Sequence, residues 1–280
     1  QSLSAARTGR IAERSRDPES VIREARELFE RGYREVTLLG QNVNSYRWEQ
    51  EDSNVNFAHL LEKTALIDPL LRVRYSTSHP KDLSDELLLT MAKHKNICRH
   101  IHLPAQSGSN RILKLMNRGY TRESYMGRIE AIHSILPDCA ISTDMITGFC
   151  TETEEDHQAS LSLMEWAEFD FSYMFRYSER PGTKAARKLK DDVPEAVKTK
   201  RLNEMIELQN TLSARSKKKD IGRIFEVLVE GYSKRSDDYL SGRTSQNKVA
   251  VFAVNGMKAG EYASVLAEEC TSATLIARVV

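Results

Sequence analysis

Cysteine is scarce in this 280-residue chain, and the four residues present are informative by their spacing. Cys98, Cys139, Cys150 and Cys270 stand 41, 11 and 120 residues apart, so no loop carries the spacing of about two or three residues that builds a zinc or iron–sulfur site. Four scattered free thiols in a reducing compartment are expected. Proline (7) and glycine (13) are too few for a collagenous or low-complexity chain. No apolar run approaches the ~20 residues that cross a bilayer; even Leu87 to Leu89 is followed by Thr90 and Lys93. Neither sign of charge is in excess. Forty-one basic against 40 acidic residues leave a formal +1, which neither demands nor forbids a polyanionic partner, because such binding depends on local clustering. Gln1 to Arg16 mixes Arg, Ser and Glu with no apolar segment and does not open on Met, so no secretory signal is expected and the chain reads as an intracellular fragment. What is there, 40% apolar and 29% charged residues, suits one large domain or a large and a small one.

Helices and strands alternate over the first three quarters. Asp17-Pro18-Glu19 supplies an N-cap residue and a proline at the first helical position, with Val21, Ile22, Ala25, Leu28 and Phe29 at helical spacing up to Gly32. Strands are expected at Glu35–Leu39, Leu71–Ser76, His100–Leu103, Ala140–Ile146 and Asp170–Tyr177. Helices are expected around Phe57–Ala65, from Ser84, and over Asn110–Met116, Thr121–Leu136 and Thr153–Glu168. Helices between strands imply parallel pairing with right-handed crossovers, in a barrel-like or an open sheet. Ligands of such sheets sit beyond the carboxyl ends of the strands. Each end here opens into a polar turn: Gly40-Gln41-Asn42, Ser76-Thr77-Ser78-His79-Pro80, Pro104 to Ser109, Thr147-Gly148-Phe149, and Tyr177 to Gly182. Five such loops are expected to converge on one rim.

After a long helix from about Pro194 to Ser216, the texture changes at Lys217-Lys218-Lys219-Asp220. Five short runs follow at 224–229, 239–242, 249–254, 261–266 and 274–280, punctuated by Gly231, Gly242, Asn255-Gly256 and Gly260. They suggest a small closed barrel of the OB type, a shape that often holds single-stranded nucleic acid. From Arg215 to Val280 there are 11 Lys/Arg against 8 Asp/Glu, a modest surplus that comes from the linker.

Several stretches together resemble the methylthiotransferase branch of the radical S-adenosylmethionine (SAM) enzymes, of the MiaB type that acts on tRNA. They are Glu13-Arg14-Ser15-Arg16, Glu35 to Tyr46, Thr77-Ser78-His79-Pro80, His100 to Pro104 with Gln106 to Ser109, Thr143 to Ile146 with Gly148-Phe149, Thr151 to Asp156, and Tyr177 to Thr183. The end of the chain, Phe225 to Gly231 through Ser233-Lys234-Arg235 and Gly242-Arg243-Thr244 to Asn247, is similar to the TRAM domain, the RNA-binding barrel of that family. The resemblance implies a partial parallel (β/α) barrel over residues 13–216, incomplete at its start, and a TRAM barrel over 217–280. The loop Gly40 to Tyr46 is similar to the type acting on isopentenylated adenosine 37, next to the anticodon.

The family's radical-generating [4Fe-4S] cluster sits in a Cys-x-x-x-Cys-x-x-Cys loop just before the Arg14-Ser15-Arg16 segment, and a further N-terminal domain holds an auxiliary cluster. Residues 1–12 carry no cysteine, so this chain is not expected to bind either cluster in the family's manner. Cys150 stands where bacterial members more often have proline. A cysteine there is similar to mitochondrial members, which leaves the compartment open between cytoplasm and mitochondrion.

SAM offers an ammonium, a carboxylate, ribose hydroxyls and an adenine face, so its pocket needs acceptors, donors and an apolar slot. The resemblance assigns these roles to Gly40, Gln41, Asn42, Ser76, Gln106, Ser107, Asp144 and Tyr177. Contacts to substrate RNA are assigned to Asn44, Ser178, Arg180, Lys234, Arg235 and Arg243, with Lys248 as a further phosphate contact and Tyr232 and Tyr239 as stacking platforms. Plainer readings stand beside these. Asn42 and Asn44 suit turn caps, Gln106 and Ser107 the N-cap of the helix near Asn110, Asp144 a cation pair, and Tyr177 a buried anchor. His79, His100 and His102 have no identifiable carboxylate partner in sequence, and no metal site is expected from them. The expected partner is a tRNA anticodon stem-loop, bound by a monomer, with the β-module roofing the mouth; the sulfur donor is unknown. A catalytically inactive RNA- or SAM-binding fragment and a ribosomal-protein methylthiotransferase are the alternatives.

Overall fold

The computed structural model describes residues 15–50, 53–76, 78–254, 256–271 and 273–280. Residues 1–14, Thr77 and Asn255, part of the stretches discussed above, lie outside the described residues. The first helix, α1 (Pro18–Glu30), starts where cap chemistry places it, with the Asp17 carboxylate accepting the Ser20 N–H at 2.9 Å. It leads into β1 (Glu35–Leu39). A hairpin of β2 (Arg47–Gln50) and β3 (Ser53–Asn56) follows, which the sequence reading had not anticipated. Next come α2 (Phe57–Ala65), β4 (Arg72–Ser76), α3 (Asp85–Lys93), β5 (His100–His102), α4 (Asn110–Leu115), α5 (Arg122–Ile135), β6 (Ala140–Thr147), α6 (Glu154–Ala167) and β7 (Phe171–Arg176). The short α7 (Lys184–Lys188) and the long α8 (Glu195–Lys218) complete the larger unit. The change of texture at Lys217 therefore falls within the last turn of α8.

All pairing among β1, β4, β5, β6 and β7 is parallel. β1 pairs with β4, and β5, β6 and β7 form a second set. A bridge between Val73 and Ile97 joins the two, giving the order β1-β4-β5-β6-β7 of a partial (β/α) barrel. One face carries Val73, Ile101, Ile141 and Met145 into the core with Leu61, Leu88, Ile132 and Leu163 from the helices, all but fully buried. The other face lines an open lumen and carries Arg72 and Arg74, His100 and His102, Ser142 and Asp144, and Phe171, Tyr173 and Phe175.

The second unit is a closed antiparallel-rich barrel of β8 (Ile224–Ser233), β9 (Ser236–Thr244), β10 (Val249–Ala253), β11 (Tyr262–Cys270) and β12 (Thr274–Val279), ordered β10-β12-β11-β8-β9. Val227, Ala250 and Phe252 fill its centre. Gly242 is required by close packing: a Cβ there would stand 2.2 Å from the Leu228 carbonyl oxygen.

The expectation that this barrel roofs the mouth is corrected by its contacts. The β9–β10 turn enters the lumen at the amino ends of the strands, opposite the loops. Arg72 donates to the Arg243 carbonyl at 2.7 Å, and Arg74 to that of Thr244 at 2.8 Å. The Ser245 hydroxyl receives the Arg99 N–H at 2.9 Å. Tyr262 donates to the Leu70 carbonyl at 2.9 Å, and the Arg72 guanidinium lies over its ring. Lys248 is likewise a joint residue rather than a phosphate contact: its ammonium is 2.5 Å from Asp220, 3.3 Å from Asp170 and 3.2 Å from the Ser216 hydroxyl. The β-module is the floor of the partial barrel.

Candidate functional site

The carboxyl ends of the strands do converge. After β1, the chain runs through Gly40 and an exposed Gln41 into a single 3-10 turn, Val43–Ser45, preceded by Asn42. Asn42 donates to Asp82 at 2.5 Å, which ties this loop to the Pro80–Asp82 turn after β4. His79, which opens that turn, meets the edge of Tyr120 at 5.4 Å between ring centres. The Tyr120 hydroxyl, pushed up to about 12 by burial, donates to the carbonyls of Pro104 and Ala105. The next residue, Gln106, gives its N–H to the Asp144 carbonyl at 2.8 Å and receives the Ile146 N–H at 2.9 Å. A continuous line of contacts thus runs from Asn42 to Asp144 along one rim, with Ser76 at the end of β4 between them.

Two observations mark the rim as more than loop packing. Gln106 is buried at φ +68°, a conformation costing on the order of 1 kcal/mol for a residue with a side chain. Several buried polar side-chain atoms also find no hydrogen-bond partner among the described residues: Oδ1 of Asn42, both amide atoms of Asn44, the Ser78 hydroxyl and Nε of Arg118. Burial without a partner costs about 1–3 kcal/mol per group, so a cluster of such atoms on one rim suits a polar ligand.

Asp144 is held from below. Its carboxylate is 3.4 Å from His102 Nε2, whose Nδ1 lies 2.9 Å from the Ser142 hydroxyl, which in turn lies 3.0 Å from His100 Nε2. His102 therefore has the carboxylate partner that sequence could not identify, because residues 42 apart meet only through the β5–β6 register. His100 is held down to about 4, first by burial and then by the Arg74 charge, so it stays neutral. Beside this ladder, His102 meets the edge of Tyr173 at 5.9 Å, and Tyr173 that of Phe171 at 4.8 Å. Phe171, Tyr173 and Phe175 are each about half exposed, and Leu39 is 75% exposed. This aromatic face was missed, although its period-2 alternation is in the sequence.

Two of the expected cofactor residues turn inward. Ser107 is buried, its hydroxyl 3.3 Å from that of Ser160 and receiving the Ser109 N–H at 3.2 Å. Gly108 allows this close approach, since a Cβ there would stand 2.2 Å from the Ala159 carbonyl oxygen. The N-cap of α4 is Ser109, not Gln106 or Ser107. Tyr177 packs its ring on Phe149 at 4.8 Å, under the Lys198 ammonium, in a satellite cluster with Ile112 and Cys150. Ser178 and Arg180 are exposed beyond it. On the β-module, Lys234 and Arg235 form the exposed β8–β9 turn, and Tyr232 and Tyr239 are exposed nearby. Arg243 is engaged with Glu230 at 3.1 Å and Asn247 at 3.1 Å.

Residues 4–164 match the model of the radical SAM superfamily, more than half of the chain. The chain belongs to the radical SAM superfamily. Residues 218–280 match the TRAM domain. The chain is 59% identical over 263 residues to a tRNA-2-methylthio-N(6)-dimethylallyladenosine synthase of Phocaeicola vulgatus, covering 94% of this chain and 58% of that protein. It is 56% identical over 268 residues to the protein of the same name from Porphyromonas gingivalis, covering 96% and 58%. The chain thus spans somewhat over half the length of these curated relatives. Among solved structures, the radical SAM enzyme coproporphyrinogen III oxidase of Escherichia coli superposes with a TM-score of 0.53 at 12% identity, over 88% of this chain and 59% of that one, a likeness of fold.

Radical SAM proteins hold an iron–sulfur cluster and SAM. The described residues do not fit the cluster: they contain no group of three or more His, Cys, Asp or Glu able to hold a metal ion. Cys98, Cys139 and Cys150 are buried, and burial pushes the Cys98 thiol up to about 12 and the other two upward, so they stay protonated. For SAM the residues do fit, through the unpaired amide and hydroxyl atoms on the rim and the aromatic face beside them. No described helix is long and apolar enough to cross a membrane.

Proposed function

We propose that this chain is the SAM- and RNA-binding portion of a tRNA methylthiotransferase that modifies isopentenylated adenosine 37 beside the anticodon, in the cytoplasm. The observation that carries this reading is the juxtaposition of two linings in one lumen: a rim of unpaired amides and hydroxyls, and a strand presenting three half-exposed aromatics. The names of the relatives point the same way. SAM would supply the hydrogen-abstracting chemistry that an unactivated adenine C–H requires only with an electron from an iron–sulfur cluster, which the described residues do not hold.

The rest falls to the chain's own side chains. Gly40, Gln41, Asn42, Asn44, Ser76 and Gln106 offer amide and backbone groups to the amino-acid and ribose parts of SAM. Asp144, oriented by His102, accepts a hydroxyl of cofactor or substrate. Phe171, Tyr173 and Phe175 stack on the base and its apolar tail and keep water off them. Ser107 and Tyr177 act from behind, fixing the loops. Ser178 and Arg180 stand at the mouth, and Lys234, Arg235 and Arg243 meet RNA on the TRAM barrel. We place the core over 13–216 and the RNA module over 217–280.

The test compares binding of two anticodon stem-loops, one carrying isopentenyladenosine and one plain adenosine. The modified RNA is expected to bind several-fold more tightly, and Lys234→Ala with Arg235→Ala to weaken both and lower the salt slope by about one to two. Equal affinity for both RNAs, or a double variant with the parent's slope, contradicts the assignment. A second reading, an RNA-binding chain that does not turn over by itself, is favoured by the described residues, which contain no group of three or more His, Cys, Asp or Glu able to hold a metal ion. Anaerobic reconstitution with iron and sulfide, read by visible absorbance, separates the two.

A further inference from the structure

We propose that a basic shelf on the core, built by α7 and the turn after α4, holds the phosphates that flank the target base as RNA enters the mouth. This rests on the RNA reading above and adds a second contact surface to the TRAM barrel. From 180 to 190 the chain places Arg180, Lys184, Arg187, Lys188 and Lys190 with no acidic residue among them, in a protein whose total charge is near zero. Of the two acids that follow, Asp191 is half-buried and Asp192 exposed, and each is engaged away from the shelf. Asp191 is 2.6 Å from the buried Lys198 ammonium, and Asp192 accepts the Thr151 N–H at 2.7 Å. Arg187, Lys188 and Lys190 are consequently exposed without an acidic partner among the described residues.

The segment is held in place. Thr183 caps α7, accepting the Ala186 N–H at 3.2 Å. Ala185 and Leu189 pack on the satellite cluster of Ile112, Phe149 and Cys150, and Tyr177 fixes the chain as it leaves β7. Leu115 and Met116, from the end of α4, share that cluster and bring two more cations, an exposed Lys114 and a half-buried Arg118. Neither has an acidic partner among the described residues, and Nε of Arg118 has no hydrogen-bond partner among them either. The Arg118 carbonyl accepts the Tyr120 N–H at 2.6 Å, and Tyr120 meets His79, so this end of the shelf adjoins the rim already described. A one-turn helix has too small a dipole to account for this many cations, and it does not explain those on α4. Unpaired Lys and Arg beside a nucleobase pocket match a phosphate backbone, which such side chains position without reading sequence.

The experiment measures filter binding of the isopentenylated anticodon stem-loop across a salt series. The full chain is compared with Arg187→Ala/Lys188→Ala/Lys190→Ala and with the charge-keeping set Arg187→Lys/Lys188→Arg/Lys190→Arg. The alanine set is expected to bind about tenfold more weakly at low salt, with the slope reduced by about 2, and the charge-keeping set to restore the parent's slope. Thermal melting is expected to be unchanged, because all three side chains are exposed; should the triple variant melt early, Lys190→Glu alone gives the same readout in smaller measure. An alanine set with the parent's affinity and slope overturns the shelf, while loss of binding in the Lys234/Arg235 variant then leaves the RNA reading standing. A parent chain that binds neither RNA overturns both.

Discussion

Gly148 shows how single residues hold this site. It lies at φ +72° just after β6, and a Cβ there would stand 2.3 Å from Cγ of the buried Lys198. Gly148→Ala is expected to cost about 2–3 kcal/mol, from left-handed backbone strain and displacement of the lysine, read as a lower urea midpoint. His100 gives a pH signature. Folded, it is neutral down to about 4; unfolded, it takes up a proton near the ordinary 6.5. The unfolded chain therefore binds more protons between these values, and stability falls as pH drops from about 6.5 to 4, by at most about 3 kcal/mol. His100→Gln is expected to flatten this part of the profile when urea midpoints are compared at its two ends. An unchanged slope would mean another group titrates there.

At the scale of elements, β7 exposes Phe175 beyond the His102–Tyr173–Phe171 contacts, which makes that side chain separable from stability. Phe175→Ser is expected to leave melting unchanged and to erase most of the preference for the isopentenylated stem-loop, whereas a core change such as Ile141→Ala loses about 2–4 kcal/mol. Helices and strands were largely legible because their signals are local. Asp17, Ser84, Thr121 and Thr153 each cap the helix that the sequence assigns to them. The β2–β3 hairpin was not, since Arg47 to Asn56 is polar and lacks a glycine turn. Ser109 was passed over as a cap because two other polar residues precede it. The aromatic alternation of β7 reads equally as a buried strand, and only the open lumen decides between the two. The His102–Asp144 contact depends on strand register, which local pattern does not fix.

For the whole molecule, the decisive joint is ionic and buried. Lys248 stands between Asp220, fully buried, and Asp170, so Lys248→Met leaves two carboxylates facing each other. A loss of about 3 kcal/mol is expected, with the TRAM barrel melting apart from the core in calorimetry. A single cooperative transition at the parent's temperature would show that the joint does not couple the two units. That the chain holds two units was legible from its change of texture. Their arrangement was not, because Lys248 reads as a phosphate contact, and nothing local marks Arg72 and Arg74 within their strand, until the β9–β10 turn is seen beneath the strands.

That turn sets a distance. With β4 five residues long, the opening and the nucleic-acid module are separated by at least the height of the strands, about 17 Å. A lone nucleoside reaches only one of them, and a folded arm draped down the flank reaches both. Under the proposed function this separation makes the protein a gauge, reading the length and shape of what hangs outside it as well as the base that enters the mouth.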